Sequence, residues 1–203
     1  MLEFVLATHN KNKVREMERL LGQTLGNKVE FSVKTAEQVG VTDEIEENGS
    51  TFEENARIKA RALASDRYIS IADDSGLSLG GAPGVYSARW SGEGDAGNNQ
   101  KLLRELEGKR GEERRARFVT AVCCILPDGR ELMLHGECEG LILDAPRGEG
   151  GFGYDPLFLY EPLGRSFAEL SGDEKNAVSH RGRAMRALAD RLAQIYIGGT
   201  VNK

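Results

Sequence analysis

Two adjacent carboxylates and a hydroxyl, in Asp73-Asp74-Ser75-Gly76, follow the mostly apolar run Tyr68-Ile69-Ser70-Ile71-Ala72. Carboxylates side by side at a strand end suit two tasks: holding a hard divalent cation and taking a proton from water. Open α/β sheets place their ligands where strands end. The same tetrapeptide is also ordinary turn chemistry, because Asp and Ser bond nearby backbone and Gly accepts positive φ. Gly80, Gly81, Pro83 and Gly84 then read as loop. The choice depends on what the rest of the chain offers these carboxylates to hold.

Several stretches offer partners. Thr8-His9-Asn10-Lys11-Asn12-Lys13 joins an apolar strand to a helix, and a helix N-terminus bearing lysines suits phosphate oxygens. A capped helix with solvated lysines explains the same residues. Asn55 and Lys59 fall on the apolar stripe Phe52, Ala56, Ala60 and Leu63. A lysine there either faces a polar cleft or snorkels to the rim. Glu44, Glu46 and Glu47 form an acidic cluster just before that helix, explained by solubility or by a charge complement to the helix. Gly148 to Pro156 contains four glycines, Phe152, Tyr154 and Asp155, a composition for backbone wrapped around something flat, or for a flexible loop with its aromatics packed down. Lys175, Ser179, His180 and Arg181 gather before the last helix. Thr8, Asn10, Lys13 and Lys59 thus suit phosphate, while Glu47, Asp73 and Asp74 suit Mg²⁺. Phe152, Asp155, His180 and Arg181 suit stacking on and hydrogen bonding to a base.

The positioning elements read as alternating strands and helices. Leu2 to Ala7 is a buried strand, and Val14, Met17, Leu20 and Leu21 lie at helical spacing before Gly22. Val29, Phe31 and Val33 alternate like a strand, and Thr35 to Ile45 reads as loop. Ser50-Thr51-Phe52-Glu53-Glu54 carries two overlapping capping boxes that open a helix. Ser87 to Trp90 predicts a short strand, Asn98 to Leu106 a helix stopped by Gly108, and Ala116 to Leu126 a strand. Pro127-Asp128-Gly129-Arg130 turns that strand into another, Glu131 to Glu139. This hairpin reads as scaffold. Leu157 to Tyr160 predicts a strand and Arg181 to Ile197 a helix, with Met185, Leu188, Ala189, Leu192 and Ile195 inward. No repeat or linker interrupts residues 1–203, so the reading is one α/β domain, with two lobes around a cleft.

A net charge of −5 over 203 residues argues against a surface that coats nucleic acid. No run of 18 apolar residues predicts a membrane span. Cys123, Cys124 and Cys138 are odd in number, and the adjacent pair points to opposite faces of a strand, which predicts reduced thiols and a cytoplasmic protein.

Six motifs occur in order: Thr8-x-Asn10-x-x-Lys13, Thr51-Phe52-x-Glu54-Asn55-Ala56-x-x-Lys59-Ala60, Ala72-Asp73-Asp74-Ser75-Gly76-Leu77, Gly81-Ala82-Pro83-Gly84-Val85-Tyr86-Ser87-Ala88-Arg89, Gly150-Gly151-Phe152-Gly153-Tyr154-Asp155-Pro156 and Ser179-His180-Arg181. Together they strongly resemble the inosine triphosphate pyrophosphatase family, over essentially the whole chain. The resemblance implies an elongated mixed α/β sheet with flanking helices, two lobes around a central nucleotide-binding cleft, and a homodimer. It implies Mg²⁺-dependent hydrolysis of ITP, dITP and XTP to the monophosphate and pyrophosphate. It assigns Thr8, His9, Asn10, Lys11, Asn12 and Lys13 to the triphosphate, beside which the chemistry of Lys59 suits the same phosphates. Glu47 and Asp74 correspond to metal ligands, Asp74 also to the proton acceptor. Ser75, Phe152, Gly153, Tyr154, Asp155, Lys175, His180 and Arg181 correspond to substrate contacts.

Overall fold

The computed structural model describes residues 1–26 and 28–196. In chain order these form β1 (Leu2–Leu6), α1 (Lys11–Leu25), β2 (Phe31–Thr35), α2 (Phe52–Ala62), β3 (Ile69–Leu79), β4 (Ala82–Pro83), α3 (Gly94–Glu105), β5 (Arg115–Ile125), β6 (Glu131–Ile142), β7 (Phe158–Tyr160), β8 (Arg165–Ser166), α4 (Gly172–Val178) and α5 (His180–Tyr196). One mixed sheet runs β2-β1-β3-β5-β6-β7-β8, with β4 paired to β3. β1 is parallel to both β2 and β3, whereas β7 is antiparallel to β6 and β8.

The chain divides into two compact units, and β3, β5 and β6 pass from one to the other. The first comprises Met1–Asp74, Thr120–Gly136 and the chain from Arg181 onward. It is a three-layer α/β arrangement dictated by alternation along its strands. Phe4, Leu6, Ile69, Ile71, Val122 and Cys124 pack with Met17 and Leu20 of α1 and Met185 and Leu188 of α5. The intervening Val5, Ala72, Ala121 and Cys123 pack with Ala56 and Ala60 of α2 on the opposite face. Cys123 and Cys124 therefore face opposite ways, as their adjacency predicts, and both are buried free thiols. Burial pushes the Cys123 thiol up to about 12, away from the reactive thiolate form.

The second unit, Ser75–Val119 and Glu137–His180, has its own apolar cluster. Leu77, Leu102, Phe118, Leu157, Phe158 and Phe167 are at its centre. Phe118 lies parallel to Phe167, with ring centroids 5.7 Å apart, and is tilted on Phe158 at 4.6 Å.

Four expectations are corrected. Asp73-Asp74-Ser75-Gly76 does not end a strand; β3 carries straight through it to Leu79. The apolar residues flanking the motif, Ile71 and Leu77, are both fully buried, so packing on both sides overrides the turn chemistry of Asp, Ser and Gly. Ser87 to Trp90 is not a strand: Gly84–Arg89 forms 3₁₀ turns, and the Ser87 hydroxyl donates to Gly84 O at 2.6 Å and accepts from Leu77 N–H at 2.9 Å. The Glu131 strand extends past Glu139 to Ile142. A separate helix, α4, precedes the last one, opened by a capping box between Ser171 and Glu174. The expected end of the final helix at Ile197 lies outside the described residues.

Candidate active site

In the first unit, each helix carries polar residues beside its apolar stripe. On α1, Lys13 and Glu16 precede Met17 and Leu20; on α5, Arg181 precedes Ala184 and Met185; on α2, Asn55 and Lys59 adjoin Ala56 and Ala60. β1 connects through α1 to β2 on one side, and β3 pairs with β1 on the other. This is the switch in strand order beside which open α/β sheets bind ligands.

The pleat separates the two aspartates. Asp73 shares the parity of Ile69 and Ile71 and faces α1 and α5; Asp74 shares that of Ala72 and faces α2. Asp73 is fully buried. Its Oδ2 accepts from Arg181 Nε at 3.1 Å and Nη2 at 3.0 Å and lies 3.2 Å from Lys13 Nζ. Arg181 also pairs with Glu16. Burial would lower the Arg181 pKa, but Asp73 and Glu16 hold it above its ordinary value. Lys13 goes the other way: burial lowers its pKa, and Asp73 only partly compensates.

Asp74 is 7% exposed. Its Oδ2 accepts from Asn55 Nδ2 at 3.0 Å, and its Oδ1 lies 3.7 Å from Lys59 Nζ. Lys59 also donates to Glu47 Oε2 at 3.0 Å. Desolvation raises the Asp74 pKa, opposed by the charges of Lys59 and Lys13 and by the Asn55 hydrogen bond. Asn55 is itself fixed, since its Oδ1 accepts from Gly49 N–H at 2.8 Å. Lys59 therefore faces inward to partners and does not snorkel. Glu47 is the member of the acidic cluster that turns to them; Glu44 and Glu46 are exposed.

The Thr8–Lys13 junction shows the cap. Asn10 Oδ1 accepts from the N–H groups of Asn12 at 3.0 Å and Lys13 at 3.2 Å. Thr8 is half-buried, and its hydroxyl accepts from Asn10 N–H. His9 is exposed, 3.5 Å from Glu37 and 3.3 Å from the Asp43 carbonyl, and Lys11 and Asn12 are exposed.

The second unit holds the aromatic loop. Asp155 Oδ2 accepts from Phe152 N–H at 2.9 Å and from Lys175 Nζ at 2.6 Å. Lys175 lies over the rings of Phe152 at 4.7 Å and Phe167 at 5.9 Å. Gly151 is at φ +71°, and a Cβ there would stand 2.0 Å from Asp155 Oδ2. Tyr154 is buried, and its hydroxyl donates to Ser87 O at 2.8 Å. His180 is buried and stacks on Phe118 at 4.7 Å. Ser75 is half-buried within β3. Thus Lys13, Asp73 and Arg181 converge, as do Glu47, Lys59 and Asp74, and Phe152, Asp155 and Lys175. Glu16, which completes the Arg181 pairing, was not expected; its position one turn from Lys13 and Leu20 on α1 was the available signal. No described helix is long and apolar enough to cross a membrane.

A model of the Ham1 family matches residues 4–191. A dITP/XTP pyrophosphatase of Bacillus anthracis is 45% identical over 206 residues, covering 98% of this chain and 100% of that one. The enzyme of the same name from Bacillus licheniformis is 48% identical over 200 residues, covering 96% and 100%. A solved Ham1 protein from Coxiella burnetii superposes with a TM-score of 0.82 at 42% identity, over 96% of this chain and 100% of that one. With the sheet, both carboxylate clusters and the aromatic loop falling inside a match of this extent, the chain belongs to the Ham1 family.

Proposed function

We propose that this chain hydrolyses non-standard purine nucleoside triphosphates, ITP, dITP and XTP, to the nucleoside monophosphate and pyrophosphate, clearing them from the nucleotide pool. The observation that carries the proposal is the Glu47–Lys59–Asp74–Asn55 cluster, in which two carboxylates share one ammonium. Its relatives' names supply the substrate class.

The donor set suits Mg²⁺. Across both clusters of the first unit, four carboxylates (Glu16, Glu47, Asp73, Asp74) meet three cations (Lys13, Lys59, Arg181). Glu47 and Asp74 would hold the ion, a pair of hard oxygen donors of the kind Mg²⁺ takes beside waters and phosphate oxygens. Bound there, it would neutralise charge on the polyphosphate.

The residues do the rest. Asp74, held by Asn55, takes a proton from the water whose oxygen attacks the α-phosphorus. As that P–O bond forms, the bond to the pyrophosphate oxygen breaks, and Lys13 and Lys59 stabilise the charge that departs. Thr8 to Lys13 supply further polyphosphate contacts. Ser75, Phe152 to Asp155, Lys175, His180 and Arg181 receive the nucleoside, and hydrogen-bond donors facing the purine 6-oxygen disfavour adenine, which presents an amino group there. The proposal includes a homodimeric assembly and a cytoplasmic location; size-exclusion chromatography with light scattering checks the first.

The test is pyrophosphate release by the purified protein with Mg²⁺ on ITP, XTP, GTP and ATP. Faster turnover of ITP and XTP than of GTP and ATP is expected. Equal rates on all four would overturn the reading, and nucleotide binding without pyrophosphate release would make the chain a sensor.

A further inference from the structure

Two side chains on α3 that touch neither carboxylate cluster clamp one peptide of the aromatic loop. Asp95 and Asn99 are four residues apart and so share one face of the helix. Asp95 Oδ2 accepts from Gly153 N–H at 2.7 Å, and Asn99 Nδ2 donates to Gly153 O at 2.9 Å. Both peptide planes that meet at Gly153 are thereby fixed. Gly153 is at φ +62°, and an unrestrained glycine populates both signs of φ readily. Without the clamp the loop is free to change conformation here.

The clamp has a direct consequence for the next residue. A trans peptide points its N–H opposite to its C=O. Holding Gly153 O toward α3 therefore turns the Tyr154 N–H the other way. Among the described residues that N–H has no hydrogen-bond partner, although Tyr154 is buried and its hydroxyl and carbonyl are both bonded. A buried backbone donor without a partner is rare. The neighbouring N–H groups are held within the unit, Phe152 N–H by the Asp155 carboxylate, Gly153 N–H by Asp95 and Asp155 N–H by Phe152 O, so among these four consecutive residues Tyr154 alone keeps a donor for a ligand.

We propose that Asp95 and Asn99 are positioning residues for purine selection, holding the Gly153 peptides so that the Tyr154 N–H is presented to the purine 6-oxygen. This rests on the pyrophosphatase reading above and assigns its selectivity to two residues of α3 that do not touch the substrate. An oxygen at position 6 accepts from this N–H, whereas the amino group of adenine faces it donor to donor.

The test uses the full chain with Asp95→Ala, Asn99→Ala and the conservative Asp95→Asn, whose amide oxygen can still accept from Gly153. Two quantities are read: kcat/KM for ITP relative to ATP, and the hydrogen-exchange rate of the Gly153 amide in free protein by NMR. Both alanine variants should speed Gly153 exchange and lower the ITP-to-ATP ratio by roughly tenfold or more, the size of one hydrogen bond. ITP should lose through KM, and Asp95→Asn should recover most of the ratio. A merely structural role would lower the thermal midpoint and slow both nucleotides alike. Faster Gly153 exchange with an unchanged ratio overturns the assignment while leaving the pyrophosphatase reading intact. A wild-type protein that does not prefer ITP to ATP overturns both.

Discussion

The carboxylate clusters of the first unit and the aromatic loop of the second both bury polar atoms, but they satisfy them by different means. In the first, charge answers charge: Lys13 and Arg181 on Asp73, Glu16 on Arg181, Lys59 between Glu47 and Asp74. In the second, one cation and one carboxylate, Lys175 and Asp155, cancel over aromatic rings, and most remaining contacts are to backbone. Buried charges are costly to leave half-paired and respond strongly to pH and to an incoming ion. Backbone hydrogen bonds fix shape and respond little to either. Under the proposed function, the first unit would stabilise changing charge and the second would recognise the purine through its shape and backbone donors. Substitutions in the first should move rate, stability and pH dependence; those in the second should move selectivity.

Asp74→Asn should break the comparison most sharply. Losing the base is expected to reduce kcat by about 10²–10⁴-fold, with nucleotide affinity largely retained. Pyrophosphate release and equilibrium binding measure the two, and a near-normal rate would remove Asp74 from its role. The stability effect has the opposite sign. Burial raises the pKa of Asp74 in the fold, so the folded state holds this proton more tightly than the unfolded chain. Its contribution to stability is then greatest at low pH and falls as pH rises through the unfolded carboxylate value of about 3.9 and the higher folded value. Asn stays neutral, so Asp74→Asn should gain melting temperature relative to wild type as pH is raised from 4 to 8. Calorimetry across that range checks it.

Arg181→Met tests the other cluster. It leaves the fully buried Asp73 and the half-buried Glu16 without their guanidinium, a loss of about 3–5 kcal/mol for a broken buried pair. Urea unfolding measures it. Asp73→Asn combined with Arg181→Met should recover part of the loss, because the two residues are directly bonded. Additive losses would show that the pair acts independently and that the first unit is not organised by charge.

Much of this arrangement could be read from the chain, and the failures have physical causes. Helical spacing placed Asn55 and Lys59 on the same stripe as Ala56 and Ala60, and both are indeed buried with partners. Alternation placed Cys123 and Cys124 on opposite faces, and the same rule applied to Asp73 and Asp74 would have separated their partners. Asp-Asp-Ser-Gly has strong local turn chemistry that masks this alternation, and what keeps β3 extended is burial from neighbouring strands distant in sequence. The pairing of Glu16 with Arg181 joins residues 165 apart, beyond any local pattern. The grip of Asp95 and Asn99 on Gly153 is equally non-local.

Gly151→Ala is the next step down. At φ +71°, with a Cβ placed 2.0 Å from Asp155 Oδ2, alanine must displace the carboxylate that holds Phe152 N–H and Lys175. The backbone cost is about 1–3 kcal/mol. Hydrolysis of ITP should lose selectivity over ATP before it loses kcat, which a substrate panel measures. A drop in kcat alone would mean that the loop belongs with the charge chemistry of the first unit.

The smallest effect sharpens the same distinction. Tyr154→Phe removes the hydroxyl that donates to Ser87 O, but that carbonyl still accepts from Asn98 Nδ2 at 3.1 Å. No acceptor is stranded, so the cost should sit near the low end of a single hydrogen bond, about 0.5–1 kcal/mol. The ring stays in the apolar cluster with Leu157 and Phe158, and the backbone N–H is untouched. Purine selectivity should therefore survive Tyr154→Phe while Asn99→Ala lowers it. If removing the Tyr154 hydroxyl costs selectivity as well, recognition in this unit would depend on the side chain of Tyr154 and not on the direction of its backbone.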